Sequence, residues 1–291
     1  MTVSTLDAPG VALDLDVPVD DLELAPDVVA ERSRRRRTSA RRLGFGALGL
    51  AVAISLWEIV ALIVGNDIMV PTVQSTVGAL FHYLRAPYPS GSDPLWEDAL
   101  VSTERVLSGF GIGTLCGVAV GSLMYALQPI RHLIDPIIEV TRPLPPLAFI
   151  PVLIMWFGIG QTPKVVLISI GVLPIMVVTT LAALDSVPKD LEHCGRTLGA
   201  SKRYVLANVQ VRAALPSIVT GMRIAMAASW TSIVAAEMIA ANSGLGYVIL
   251  QAGNYLQMPL VFAGIAMIGA VGLLLDTSLR ATLFWLDPSR R

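Results

Sequence analysis

The chain is poor in the side chains that carry covalent or metal chemistry: among 291 residues there are two cysteines and three histidines. Cys116 lies in an apolar run and Cys194 in a basic loop, so neither a disulfide framework nor a thiolate metal site is expected. His82, His132 and His193 fall in three different segments, which leaves no His/carboxylate cluster with ligand spacing. Ser, His and Asp nowhere assemble into a nucleophile motif such as Gly-x-Ser-x-Gly. The nearest approach to a P-loop runs from Gly158 to Val165. It has Pro163 where glycine should precede Lys164, and Val165 where Ser or Thr would bind Mg²⁺. No metal, no cofactor and no enzymatic chemistry are therefore expected of this chain, and if ATP drives it another chain hydrolyses the ATP.

Charge is also scarce. Charged residues make up 15% of the sequence against 54% hydrophobic ones, and the mean hydropathy is +0.67. Those values exclude an ordinary soluble domain and point to an all-α integral membrane protein. Six apolar stretches approach the roughly 20 residues a helix needs to span a bilayer: 43–65, 106–127, 137–158, 165–184, 217–240 and 259–283. The expected organisation is a disordered tail with a basic end over 1–42, a transmembrane domain over 43–286 and a short C-terminal tail over 287–291. The first apolar stretch is too long for a signal-peptide core, so that helix is expected to stay.

Seven arginines, Arg32, Arg34, Arg35, Arg36, Arg37, Arg41 and Arg42, directly precede the first span, and such a cluster resists translocation. With six crossings, both termini and the loop over 185–216 lie on the cytoplasmic side. Arg85, Lys164 and Arg105 are left outside. A nucleic-acid role for the arginines is not needed once they set topology.

The 185–216 loop carries several basic side chains between two apolar runs, begins with Pro188, and offers a short helical run through Leu191, Leu198 and Val205. Gly199 and Ala200 sit mid-loop, where a partner could approach the backbone. In the second span Gly109, Gly113, Gly117 and Gly121 recur every fourth residue and form one small-residue face for close helix packing. Pro143, Pro145, Pro146 and Pro151 interrupt the third span, after Glu139 and Arg142. The break marks either a pathway or a simple kink. The fifth span bears Arg223 near its cytoplasmic end, and Trp230, Glu237 and Met238 on a common side. They are pathway candidates by default, or snorkelling residues near the span ends. Between spans one and two, Val73, Val77, Leu80, Phe81 and Leu84 follow Pro71 at helical spacing and predict a short amphipathic external helix.

Read in order, VPTVQSTVGAL, STERVLSGFGIGTLCGVAVG, DPIIEVTRPLPPLAFIPVLIMWFGIGQTPK, GRTLGAS, AALPSIVTGMRIAMAASW and AAEMIAANSGLGYVI resemble the nitrate/sulfonate/taurine group of ABC importer permeases. The resemblance implies a type I (MetI-like) permease fold of six transmembrane helices in the inner membrane. It also implies a second permease copy, cytoplasmic ATPases that bind ATP and Mg²⁺, and a solute-binding protein outside. The loop then corresponds to the segment that docks on the ATPase, through Leu191, His193, Cys194, Gly195, Leu198, Gly199, Ala200 and Ser201. Here His193 stands in place of the family's Glu and Cys194 and Gly195 replace two alanines. Gly199, Ala200, Leu215 and Pro216 match. The implied solute is a small anion of sulfonate, taurine or nitrate type, the alternative a vitamin precursor or aromatic solute. A reading of another class is an ion-coupled secondary transporter with a relay of Glu58, Arg223, Glu237 and Asp276.

Overall fold

The computed structural model describes residues 26–88 and 93–286, with side chains over 44–88 and 93–282. The expectations for residues 1–25 and 287–291, and for the side chains of the arginine cluster, lie outside the described residues. The chain divides into two units, residues 1–57 and 58–291. Among the described residues of the first unit the backbone is helical from Pro26, where the proline suits a first helical position. Residues 26–42 were expected as part of the tail.

The described residues are helical throughout, apart from turns and one isolated bridge between Pro87 and Pro94. α1 covers Pro26–Val64, α2 Val73–Tyr83, α3 Leu95–Ala126, α4 Gln128–Thr141, α5 Ile150–Phe157 and α6 Thr162–Asp185. α7 follows over Lys189–Thr197, α8 over Lys202–Val205, α9 over Val211–Ala240, α10 over Leu245–Asn254 and α11 over Met258–Leu286. Five of these are long and apolar enough to cross a membrane, and a sixth crossing is made if the bent pair 128–141 and 146–157 counts as one span.

Two boundaries differ from the sequence-based expectation. α3 starts at Leu95, well before residue 106, and takes in Asp98, Ser102 and Arg105. Those polar residues lower the hydropathy of its first turns, but they are buried in pairs, so the helix continues through them. The third span is two helices set at 90°. Arg142 still has α-region backbone, but Pro143, Pro145 and Pro146 each lack a backbone donor and Pro145, ahead of Pro146, is extended, so α4 ends at Thr141. Finally, α2 forms as expected, with Thr72 as N-cap accepting from the Ser75 N–H at 3.1 Å. Its packed residues are Thr76, Leu80 and Tyr83, whereas Val77 and Phe81 are exposed.

The core of the second unit lies between α3, α6 and α9, with α10 and α11 closing one side. The four glycines of α3 let α6 come against its backbone. A Cβ on Gly109 would stand 2.6 Å from Ile168 Cβ, on Gly113 2.7 Å from Val172 Cβ, on Gly117 2.5 Å from Met176 Cβ, and on Gly121 2.8 Å from the Val177 carbonyl. Each is closer than any real contact, so alanine at any of them would push the two helices apart. Main-chain approach of this kind brings dispersion contacts that lipid cannot supply, which offsets the low helix propensity of glycine.

Candidate functional site

Three places gather functional side chains, and the first is the loop between α6 and α9. α7 is a short amphipathic helix that ends in a left-handed turn. The Gly199 N–H donates to the Arg196 carbonyl at 3.0 Å and the Ala200 N–H to the Gly195 carbonyl at 3.1 Å, with Gly199 at φ +82°. This 6→1 and 5→2 pairing is a Schellman closure, which requires a residue tolerant of positive φ at that position. Ser201 then caps α8, its hydroxyl accepting from the Tyr204 N–H at 3.3 Å. Gly195 sits against buried Val205, its absent Cβ leaving only 3.0 Å to Val205 Cγ2. A π-helical turn over Leu206–Gln210 joins α8 to α9, and Gln210 Nε2 donates to Tyr125 Oη at 3.0 Å and to Glu192 Oε2 at 3.3 Å. These bonds fix the elbow to α3 and α9. What it presents outward is Leu191, Tyr204 and above all Leu198, which is 87% exposed. His193 and Cys194 are exposed on α7 as well.

The second place is a buried polar cluster at the start of α3. Arg105 and Glu237 are 3% and 0% exposed, and Arg105 Nη1 lies 2.5 Å from Glu237 Oε1. Arg105 also donates to the Ser243 carbonyl at 2.8 Å, to Ser243 Oγ at 2.9 Å and, through Nε, to Gln161 Oε1. Glu237 accepts from the Ser102 hydroxyl at 2.9 Å and from the Gly246 N–H at 3.0 Å. Ser102 in turn accepts from the Leu245 N–H at 2.9 Å, and Asp98 accepts from the Gly244 N–H at 2.6 Å and from Tyr88 Oη at 3.2 Å. The unpaired amides at the start of α10 are thus satisfied by side chains of α3 and α9. Burial first, and then the charge of Asp98, pushes the Tyr88 phenol far above its usual range, which keeps it a donor.

The third is a cavity of about 830 Å³ between the end of α4, the 3₁₀ turn Pro146–Phe149, α6 and α9. Arg142 and Pro146 line it, among mostly apolar side chains.

The residues expected to form a pathway divide between these places. Arg142 and Pro146 meet at the cavity, and Pro145 is the N-cap of the turn beside it. Glu237 belongs to the buried cluster, so burial in an ion pair replaces the snorkelling alternative. Arg223 holds Asp276 through two bonds of 2.7 and 3.1 Å, and Asp276 also accepts from Arg280 at 2.9 Å. Trp230 is buried in the core, and Met238 faces outward. The relay expected of a secondary transporter is not assembled: Glu58 accepts the Val73 N–H at 2.8 Å, and Glu237 stands about 21 Å along α9 from Arg223. Asp98, Ser102, Ser243 and Gly244 were missed. Asp98, Ser102 and Arg105 fall at spacings of four and three, one face of a helix, and that pattern was the available signal.

Comparison with known proteins places this geometry. Residues 109–291 match the family described as binding-protein-dependent transport system inner membrane component. The taurine transport system permease protein TauC of Escherichia coli (strain K12) is 35% identical over 260 residues, 89% of this chain and 94% of TauC. The nitrate import permease protein NrtB of Synechococcus elongatus is 28% identical over 233 residues, 78% of this chain and 84% of its own. Among solved structures, the MetNI methionine ABC transporter in an inward-facing conformation superposes with a TM-score of 0.59 at 19% identity, over 65% of this chain and 94% of the other, a likeness of fold.

Proposed function

We propose, from the premise that this chain belongs to the family of binding-protein-dependent transport system inner membrane components, that it lines the translocation pathway for a small organic or inorganic anion. As an ABC importer permease it is a multi-pass inner-membrane subunit. The anion class is supported by relatives named for taurine and nitrate transport. A solute-binding protein delivers the solute, a second copy of the chain completes the pathway, and ATP with Mg²⁺ is bound and hydrolysed on a separate ATPase.

The observation that carries the coupling role is the α7–α8 elbow. It is anchored to the bundle through Val205 and Gln210, yet it turns Leu191, Leu198 and Tyr204 away from the protein. An apolar tip on an anchored elbow suits a groove on a soluble partner, and a rigid anchor transmits the partner's motion to α9. Arginines before the first span and on the elbow favour a cytoplasmic side for both. Alternating access follows when closure of the ATPases rocks α9 and its neighbours around the cavity.

The test is affinity purification of the tagged chain from gently solubilised native membranes, followed by mass spectrometry. Recovery of a P-loop ATPase is the expected result. A homo-oligomer without ATPase that transports under a proton gradient alone would overturn the assignment in favour of the secondary transporter.

A further inference from the structure

Most arginines described in the bundle are spoken for. Arg105, Arg131, Arg196, Arg223 and Arg280 each hold a carboxylate within 4 Å. Arg142 has no such partner among the described residues, although it sits at the break between the two bent helices and on the wall of the cavity of about 830 Å³. It is also the one charged side chain on that wall among the described residues. Its side chain is exposed, so its five donors are open to water or to a ligand.

The hydroxyls on the same wall narrow the chemistry. Thr141, Thr179 and Thr231 turn theirs back to helix carbonyls, at 3.1, 2.9 and 3.2 Å. Ser232, the fourth hydroxyl on the wall, makes no hydrogen bond among the described residues and remains a free donor. Gly171 keeps the space beside it open, since a Cβ there would stand 3.0 Å from Pro146 Cγ and 3.9 Å from Ser232 Oγ. The rest of the wall is apolar, with Ile137, Leu147, Ile170 and Ile224 among its members.

We propose that Arg142, with Ser232 as a second donor, is an anion-recognising group within the permease, and that the cavity takes a small organic anion with one acidic headgroup on a short aliphatic body. The guanidinium binds two oxygens of a planar or tetrahedral acid group as a fork, and the apolar wall receives the carbon chain. Selection of the solute is then shared between the binding protein and the membrane subunit. This rests on the anion-importer reading above.

The experiment measures uptake of radiolabelled taurine, ethanesulfonate and nitrate by cells that express the chain with the ATPase and binding protein recovered with it. The amount of chain in the membrane, and of co-purifying ATPase, is measured in parallel. Arg142→Gln lowers uptake of the two sulfonates by about tenfold or more, the worth of a charge-assisted pair, at undiminished assembly. Arg142→Lys restores part of it, and Ser232→Ala causes a smaller loss. Wild-type uptake by Arg142→Gln would overturn the assignment of Arg142 and leave the anion-importer reading standing. Equal losses in the Gln and Lys variants, with less chain in the membrane, would make Arg142 structural and also overturn it. Transport of nitrate to the exclusion of both sulfonates would overturn the organic class, and a wild-type complex that carries no anion would overturn both readings together.

Discussion

Gly199 and Gly244 both adopt left-handed backbone, at φ +82° and +110°, and both sit in short connections beside α9. Their surroundings are opposite. A Cβ on Gly244 would stand 2.5 Å from Glu237 Cδ and 2.7 Å from Arg105 Nη1, whereas one on Gly199 would meet nothing within 4 Å. Gly244 is required by the protein's own packing. Gly199 is required by its turn geometry alone, and the space beside it is left for something else. An open glycine in an anchored elbow is a property of a docking surface, and a glycine wedged into an ion pair is a property of a joint that holds its shape.

The sharpest way to break that comparison is Gly244→Ala. The methyl must displace the Glu237 carboxylate from Arg105 and also occupy a strained φ, so the loss should exceed about 4 kcal/mol and the chain should fail to accumulate in the membrane. Recovery of normal amounts by fluorescence-detected gel filtration would mean that the α9–α10 connection is not held by this cluster. Glu237→Gln is milder. It keeps the volume and the contacts to Ser102 and Gly246 but leaves Arg105 without a counter-charge, for an expected cost of about 2–3 kcal/mol read as a lowered thermal midpoint in micelles. An unchanged midpoint would show that Arg105 is satisfied by Ser243 and Gln161 alone.

This cluster is also where sequence reasoning was weakest, for a physical reason. Hydropathy and periodicity report on neighbours along the chain, and they located most spans, the glycine face that α6 packs against, and the proline break of the third span. They placed the start of the second span at residue 106 because Asp98, Ser102 and Arg105 interrupt the apolar run before it. Their partners lie more than a hundred positions away in Glu237, Ser243, Gly244 and Leu245. No local window contains both halves of these long-range pairs. Arg142 was legible as a charge beside prolines, but that it shares a cavity with Ser232 and Gly171 follows only from the 90° bend.

At the elbow the effects on stability should be smaller and the effects on transport larger. A Cβ at Gly199 meets nothing within 4 Å, so Gly199→Trp should cost the bundle only the roughly 1–2 kcal/mol of a non-glycine residue in left-handed backbone. Uptake should nevertheless be abolished and the ATPase no longer recovered with the chain, because the indole fills the space left beside the turn. Normal uptake by this variant would remove the elbow from the coupling role. A bundle destabilised as strongly as by Gly244→Ala would erase the distinction between the two glycines.

His193→Glu tests the same surface at its gentlest point. The side chain is exposed, and the bond made at this residue, Thr197 Oγ1 to the His193 carbonyl at 2.9 Å, uses the backbone and survives the change. A glutamate here would have Lys189 four residues before it and Arg196 three after it on the helix surface, an arrangement worth a few tenths of a kcal/mol. Stability should therefore move by less than about 0.5 kcal/mol. ATPase recovery should be unchanged if Leu191, Leu198 and Tyr204 make the dock, because an exposed charge at the rim of an interface adds little beside an apolar centre. A clear loss of recovered ATPase in His193→Glu would place the imidazole itself in the interface. The partner groove would then be matched to this chain's histidine, and to no carboxylate.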